Sequence, residues 1–137
     1  MLKKHNYNQP IPPNKYNPLS WIHQNASIGE NCWIGAFVYI DVDVCIGDNV
    51  SIANGVQIFS HDTSYHHATG GLLESKRFKV VVESHVEIGA NSVVVPAFRD
   101  LTIGHNSIVG ALSYVRESVP PRSVVVGVPA RIIKDVI

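Results

Sequence analysis

A polar stretch that begins at His61 carries the side chains of this chain that are best suited to chemistry. His61, Asp62, Tyr65, His66 and His67 lie within it, so three of the chain's seven histidines fall together. Histidine exchanges a proton near neutral pH, which suits it to general acid–base work. We therefore take His61 as a candidate base. A solvated loop histidine is the alternative, because no nucleophile or carboxylate spacing singles this residue out.

The sequence before His61 repeats every six residues. Isoleucines recur at this interval seven times, at Ile22, Ile28, Ile34, Ile40, Ile46, Ile52 and Ile58. Small or β-branched residues follow four places after the first six, at Ala26, Cys32, Val38, Val44, Val50 and Val56. A period of six fits neither a helix nor one long alternating strand. It is typical of a parallel β-helix built from hexapeptide repeats, an all-β fold.

In such a fold three hexapeptides complete one coil, so residues eighteen positions apart stack. The predicted interior columns are Ile22, Ile40 and Ile58; Ile28 and Ile46; and Ile34 and Ile52. The repeat count implies about four coils. Glycines follow several isoleucines, as at Ile28-Gly29 and Ile46-Gly47. We expect corners there that need tight backbone or positive φ.

Two interruptions break the repeat. About eighteen residues after His61 fit no hexapeptide, which predicts an excursion loop over 61–79. Val94 and Ile103 are nine residues apart instead of six, which predicts a three-residue insertion within Pro96–Asp100. Residues 1–19 are rich in proline and predict an extended arm, with plain disorder as the alternative, before a single β-helix domain over 20–137.

The composition of the chain restricts the classes of partner and the location that we expect. The 11 basic and 11 acidic residues cancel, so we expect no nucleic acid and small or protein partners instead. The two cysteines occupy different repeat positions, and a disulfide framework is not expected. No apolar run is long enough for a signal sequence or a membrane span, so the cytoplasm is the expected location and no membrane insertion is expected. A solenoid of few coils exposes flat sides and two ends, which favours self-association.

Three stretches resemble the hexapeptide-repeat acyltransferases with a left-handed parallel β-helix, in particular the maltose, galactoside and polysaccharide O-acetyltransferases. The first is Ile46–Ile52 leading to Ile58–Asp62, where that family places its catalytic histidine at the start of an excursion loop. The second is Val86–Pro96. The third is Ile103–Ala111 running into Val119–Ile133, and its ending is highly specific for these enzymes.

The resemblance implies an acetyl-CoA-dependent transferase acting on a sugar hydroxyl or a cell-surface polysaccharide precursor. His61 would be the general base, and no metal would be needed. The left hand of the helix and a homotrimer with active sites between subunits are also implied. The general preference for right-handed crossovers would have predicted the opposite hand.

The polar residues of the loop and the same resemblance together suggest further candidate residues. Those for the acceptor are Asp62, Tyr65, His66, His67 and Glu87. Those for CoA are the small residues Ala90, Gly110 and Ala111, which would let the pantetheine arm approach, and the phosphate candidates Arg116 and Arg131. Asp62 could instead orient His61 or stiffen the loop, and ordinary surface contacts are the alternative for the others.

Three positions depart from the family pattern. Glu87 stands where many relatives have tryptophan, Leu112 replaces a small residue, and Glu117 falls where lysine is common. These departures bear on the identity of the acceptor. An N-acetyltransferase acting on a nucleotide-linked amino sugar therefore remains an alternative to the O-acetyltransferase.

Two further hypotheses belong to other classes. His61 and His66 have the H-x4-H spacing of γ-type carbonic anhydrases, which bind zinc through three histidines. His23 or His85 would have to supply the third ligand. A non-catalytic β-helix that serves as a binding module is the other hypothesis.

Overall fold

The chain forms a three-sided prism of short strands. A computed structural model describes residues 10–137. The strands, in chain order, are β1 (Trp21–Ile22), β2 (Ser27–Ile28), β3 (Trp33–Ile34), β4 (Tyr39–Ile40), β5 (Val44–Ile46), β6 (Ser51–Ile52), β7 (Gln57–Ile58), β8 (His61–Asp62), β9 (Lys76–Arg77), β10 (Val80–Val82), β11 (Glu87–Ile88), β12 (Val93–Val94), β13 (Leu101–Ile103), β14 (Ile108–Val109), β15 (Tyr114–Val115), β16 (Ser123–Gly127) and β17 (Ala130–Asp135). One helix, α1, spans Ser64–Ala68.

Three sheets make the sides of the prism. Sheet A has the order β1-β4-β7-β12-β15, sheet B the order β13-β10-β5-β2, and sheet C the order β17-β16-β14-β11-β6-β3. The chain passes from A to B to C in each coil, and within these three sheets every neighbouring pair is parallel except β16 and β17. Four complete coils and most of a fifth result. The predicted parallel β-helix is therefore confirmed.

The predicted interior columns are also confirmed by the strand register. Ile22 pairs with Ile40 and Ile40 with Ile58 in sheet A, while Ile28 pairs with Ile46 in sheet B. Ile34 pairs with Ile52 in sheet C. Most of these side chains are buried, and Ile40, Ile52 and Ile58 are wholly so. Stacked β-branched side chains suit such pleated, buried surfaces.

The glycines after the isoleucines are required by close approach between coils. A Cβ on Gly29 would lie 2.6 Å from the carbonyl oxygen of Gly47, and one on Gly89 would lie 2.4 Å from the nitrogen of Ala111. Positive φ occurs two residues later in the corner, at Asn31 and Asn49 among others. Of the two reasons that the sequence left open for these glycines, tight backbone is the correct one.

The corner that joins sheet A to sheet B, called the AB corner here, carries both interruptions of the repeat. In the third coil it holds the excursion, in which β8 and β9 pair antiparallel with α1 between them. In the fourth coil it holds residues 95–100, and the register places Val94 beside Val115 and Ile103 beside Val82 on either side. The predicted insertion between Val94 and Ile103 therefore projects from this corner.

The first described residues are held against the prism by hydrogen bonds and packing. Among residues 10–19, Asn14 accepts hydrogen bonds from the N–H groups of Tyr16 and Asn17 and donates to Ser20, and Tyr16 packs against the core. The rest of the predicted arm lies outside the described residues.

Cys32 and Cys45 are free thiols. In the described part of the chain, no helix has the length and apolar character needed to span a bilayer.

Candidate active site

His61 and Asp41 meet at the AB corner. Each follows a strand of sheet A, because β4 ends at Ile40 and β7 ends at Ile58, and the register stacks these two isoleucines. The residues that leave the two strands therefore emerge at adjacent levels, about 4.8 Å apart. Although His61 and Asp41 are 20 residues apart in sequence, His61 Nδ1 is in direct hydrogen-bonding contact with Asp41 Oδ2.

Asp41 is held rigidly by its other contacts. The carboxylate is buried, with a residue exposure of 3%. Oδ2 also accepts the N–H of Ser60 at 2.9 Å, and Oδ1 accepts the N–H of Val42 at 2.8 Å and the hydroxyl of Tyr39 at 3.4 Å. The position of the carboxylate is thus set by backbone groups of two adjacent coils.

The electrostatics favour an ionised Asp41. Burial raises its pKa, but the N–H groups of Ser60 and Val42 together with His61 outweigh burial and hold the pKa below its usual value. Burial, and then the charge of Asp41, raise the pKa of Tyr39 to about 12. Tyr39 is consequently a neutral hydroxyl donor at any ordinary pH.

An aromatic stack supports this corner from sheet A. The ring of Tyr39 lies between Trp21, with centroids 4.9 Å apart, and Phe59, with centroids 5.0 Å apart. These separations fall in the range that aromatic pairs prefer. The stack restrains the Tyr39 hydroxyl at the edge where Asp41 lies.

The pair can act as a base. A carboxylate accepts but does not donate, so the neutral imidazole of His61 donates from Nδ1 and carries its lone pair on Nε2. The His61 side chain is 32% exposed, which leaves it accessible to a ligand. The fixed negative charge of Asp41 stabilises the imidazolium that forms when Nε2 takes a proton. Sequence reasoning missed Asp41, although its place directly after a stacked isoleucine was a usable signal.

Asp62 serves the loop rather than His61. Its carboxylate accepts hydrogen bonds from the N–H of Ser64 at 2.8 Å and from the Ser64 hydroxyl. These bonds lower the pKa of Asp62. Of the three roles that the sequence allowed for Asp62, the contacts with Ser64 fit stiffening of the loop, the partner that orients His61 is Asp41 instead, and contact with the acceptor stays a prediction.

The remaining loop candidates, Tyr65, His66 and His67, lie on the short helix α1. Tyr65 is 55% exposed, and the Lys76 Nζ atom lies 5.0 Å from the centroid of its ring. His66 Nδ1 is 2.9 Å from the carbonyl oxygen of Leu73, and the ring centroids of His66 and His67 are 5.9 Å apart. Tyr65 and His67 are thus available to a ligand, while one nitrogen of His66 is committed to closing the loop.

The CoA candidates with small side chains lie at a different corner. Ala90 and the pair Gly110-Ala111 follow β11 and β14 of sheet C and stack in consecutive coils, with the N–H of Leu112 donating to Ala90 at 2.9 Å. Glu87 is exposed on sheet C itself. Within one chain, therefore, neither the small CoA candidates nor Glu87 lies beside His61. The corner that holds Ala90 and Ala111 is separated from the AB corner by sheet A, and Glu87 lies on sheet C.

Arg116 and Arg131 come together at the end of the prism. They line a cavity of about 270 Å³ with the last buried valines of the columns, Val115, Val119 and Val125. Arg116 lies at the AB corner of the fifth coil, and Arg131 lies on β17. The structure thus places two guanidinium groups of the predicted phosphate set beside one cavity.

The described residues of one chain form no site that could bind zinc. In residues 10–137, no three or more His, Cys, Asp or Glu side chains cluster in a way that could hold a metal ion. His61 Nδ1 is engaged by Asp41, and His66 lies within α1 beside the Leu73 carbonyl. The H-x4-H spacing therefore does not bring these two histidines into a metal site with a third ligand from the same chain.

Known proteins share this arrangement of repeats. The family model "Bacterial transferase hexapeptide (six repeats)" matches residues 25–60, and the model "Hexapeptide repeat of succinyl-transferase" matches residues 79–115. The matched coils thus define a β-helix protein of the hexapeptide transferase class.

Individual relatives narrow this class. The galactoside O-acetyltransferase of Escherichia coli is 32% identical over 133 residues, covering 81% of this chain and 64% of that protein. A galactoside acetyltransferase solved with coenzyme A has a TM-score of 0.72 and 30% identity, covering 89% of this chain and 61% of that one. An N-acyltransferase from Bacillus cereus, solved with dTDP-4-amino-4,6-dideoxyglucose and coenzyme A, has a TM-score of 0.69 and 30% identity, covering 80% and 63%.

The chain belongs to the family of hexapeptide-repeat transferases. Its fold is the left-handed parallel β-helix that the resemblance implied. The chain spans slightly less than two thirds of the E. coli relative.

Proposed function

We propose that this protein is an acetyl-CoA-dependent acetyltransferase that acylates a hydroxyl of a sugar or of a cell-surface polysaccharide precursor. The observation that carries the proposal is the pairing of His61 Nδ1 with the buried Asp41 carboxylate, which leaves Nε2 as a base. The galactoside acetyltransferase relatives support both the donor and the acceptor class.

The mechanism follows from this geometry. His61 Nε2 takes the proton of the acceptor hydroxyl as its oxygen attacks the thioester carbonyl carbon. The tetrahedral intermediate then collapses, the carbon–sulfur bond breaks, and the departing CoA thiolate takes the proton back from the imidazolium. Asp41 holds the ring in one orientation and lowers the energy of its charged form throughout. The products are the acetyl ester and free CoA, and no other reactant is required.

Transfer to an amine is the second candidate. It is favoured by the similarity to the Bacillus cereus N-acyltransferase, whose structure contains a dTDP-linked amino sugar. An unprotonated amine is already nucleophilic, so this reaction would depend more on alignment and less on the base. Glu87, Tyr65 and His67 are the exposed residues that we propose for contacts with either acceptor.

The two candidates are separated by a direct assay. Free thiol released from acetyl-CoA is measured with a panel of galactosides, other sugars and nucleotide-linked amino sugars. We expect release that depends on a hydroxyl acceptor and yields an acetyl ester. Release only with amino sugars, yielding an amide, would establish the second candidate. If no acceptor of either class increases thiol release at any donor concentration, both candidates are refuted.

We further propose that the active form is a homotrimer with each site between two subunits. Support comes from the division of the candidate residues between two corners of one chain, since His61 lies at the AB corner and Ala90 and Ala111 lie beyond sheet A. A neighbouring subunit would bring the second corner to the first. Sedimentation equilibrium should give three times the mass of the chain, and an active monomer would contradict this arrangement.

A cytoplasmic location also stays a prediction.

A further inference from the structure

The insertion in the fourth coil lies between two functional levels of the same corner. His61 leaves the AB corner in the third coil, residues 95–100 leave it in the fourth, and Arg116 lies on it in the fifth. Successive coils are about 4.8 Å apart, so the step from the level of His61 to that of Arg116 is about 10 Å along the prism. A ligand that extends from His61 along this edge meets the insertion before Arg116.

The insertion exposes an aromatic ring and a cation. Phe98 is 68% exposed, and Arg99 is also exposed. Asp100 is turned away from them, since its Oδ1 accepts the N–H of Lys79 at 2.9 Å. The polypeptide thus places a large apolar side chain in water where no packing requirement of the β-helix demands one.

These residues line a cavity of about 310 Å³ with Arg116, Glu117 and Ser118. The Arg116 guanidinium carbon lies 5.4 Å from the centroid of the Phe98 ring. Arg116 Nε is buried and has no hydrogen-bond partner among the residues that the structure describes. Ser118 Oγ accepts the N–H of Thr102 at 2.9 Å, and its hydroxyl proton remains to be donated.

The cavity has the chemistry of a nucleotide site. Arg99 and Arg116 supply two positive charges against the single negative charge of Glu117, and guanidinium groups match phosphate oxygens in geometry as well as charge. The Phe98 ring can stack on a planar base, and such stacking contributes measurably to nucleotide binding. Arg131 lines the adjoining cavity and adds to the positive potential.

We propose that Phe98 and Arg99 of the insertion form, together with Arg116, a binding site for the phosphorylated nucleotide end of a ligand. The inference rests on the proposed function for its ligand. The nucleotide of the acyl-CoA donor is the first source, because the site lies along the edge that leads to His61. The nucleotide of a sugar acceptor has the same chemistry and is the second source.

Binding is measured by titration calorimetry with CoA, 3′-dephospho-CoA, 4′-phosphopantetheine and dTDP. The variants are Phe98→Ala and Arg99→Ala, with Arg122→Ala as the matched control because Arg122 is exposed at a corner away from this cavity. We expect each insertion variant to weaken CoA binding about tenfold, as expected for loss of a charged hydrogen bond or a stacked ring. Binding of 4′-phosphopantetheine, which lacks the nucleoside, should change little, and the control should bind CoA like the wild type.

The outcomes separate the sources and the two proposals. Loss of dTDP binding with unchanged CoA binding would assign the site to the acceptor nucleotide. Unchanged affinity for both nucleotides, or equal losses for CoA and 4′-phosphopantetheine, would overturn the site. Because the assay requires no turnover, failure of His61 as a base would leave this result standing. Thermal unfolding of each variant confirms that these exposed substitutions leave the fold intact.

Discussion

Replacement of His61 by alanine is expected to lower the rate of acceptor-dependent thiol release by about 10²- to 10⁴-fold, the usual contribution of a positioned general base. Without the imidazole, the nitrogen that takes the proton of the acceptor hydroxyl as the thioester is attacked is lost, and the Asp41 carboxylate behind it is buried. The side chain is about one third exposed, so its removal leaves no large cavity and the fold should persist. The measurement is thiol release at saturating acetyl-CoA.

His105→Ala is the matched control. His105 is an exposed histidine at another corner, and its backbone N–H, not its ring, donates to Glu83. This variant should retain the wild-type rate. Equal rates for His61→Ala and the wild type would remove His61 as the base, and a hydroxyl acceptor would then need activation by another group. A large loss with hydroxyl acceptors but a small one with amines would show that transfer to an amine depends less on the base.

Replacement of Asp41 by asparagine is expected to lower kcat on the order of 10²- to 10⁴-fold, nearly as far as loss of the histidine. An asparagine amide at the position of Oδ2 donates to His61 Nδ1. The ring must then carry its proton on Nε2, and the nitrogen that faces the substrate is no longer a base. The affinity for acetyl-CoA should stay close to that of the wild type, because Asp41 is buried behind the ring.

Asp48→Asn is the control for this substitution, since its carboxylate also accepts a backbone N–H, that of Glu30, at a distant corner. Acid unfolding supplies a second readout. The folded-state pKa of Asp41 is lowered, so its carboxylate stabilises the fold above the unfolded value of about 3.9, and this contribution is lost as pH falls through the folded pKa. Stability of the asparagine variant should therefore vary less with pH below about 4. An Asp41→Asn enzyme with normal kcat would show that His61 needs no orienting partner.

The sequence predicted the frame well because the frame depends on local periodicity. Isoleucines six residues apart can be buried together only if the chain turns at each repeat, so Ile22, Ile40 and Ile58 had to stack. The same regularity exposed the excursion at His61 and the insertion before Ile103 as departures from it. The glycine corners were less certain, since sequence alone does not distinguish close approach of neighbouring coils from positive φ.

The candidate site was predicted only in part. His61 was proposed from its residue type, its place at the start of the loop and the family resemblance, and the structure places it beside a buried carboxylate. Arg116 and Arg131 do share a cavity. Asp41 was missed, because a search for a nearby carboxylate led to Asp62, whose side chain is taken by Ser64. In a β-helix, side chains about one coil apart in sequence can stack at the same corner, whereas the side chains of adjacent residues can point in different directions.

By itself, the sequence determined the period, the three columns, the family resemblance and the point at which the chain leaves the prism. Only the tertiary structure decided which side chains meet there. A hexapeptide period fixes the level of each residue along the prism axis. Contacts between residues of different coils also depend on the direction in which the side chains at each corner point. The Asp41 and His61 pair, the separation of His61 from Ala90 and Ala111, and the position of Phe98 beside Arg116 all depend on those directions.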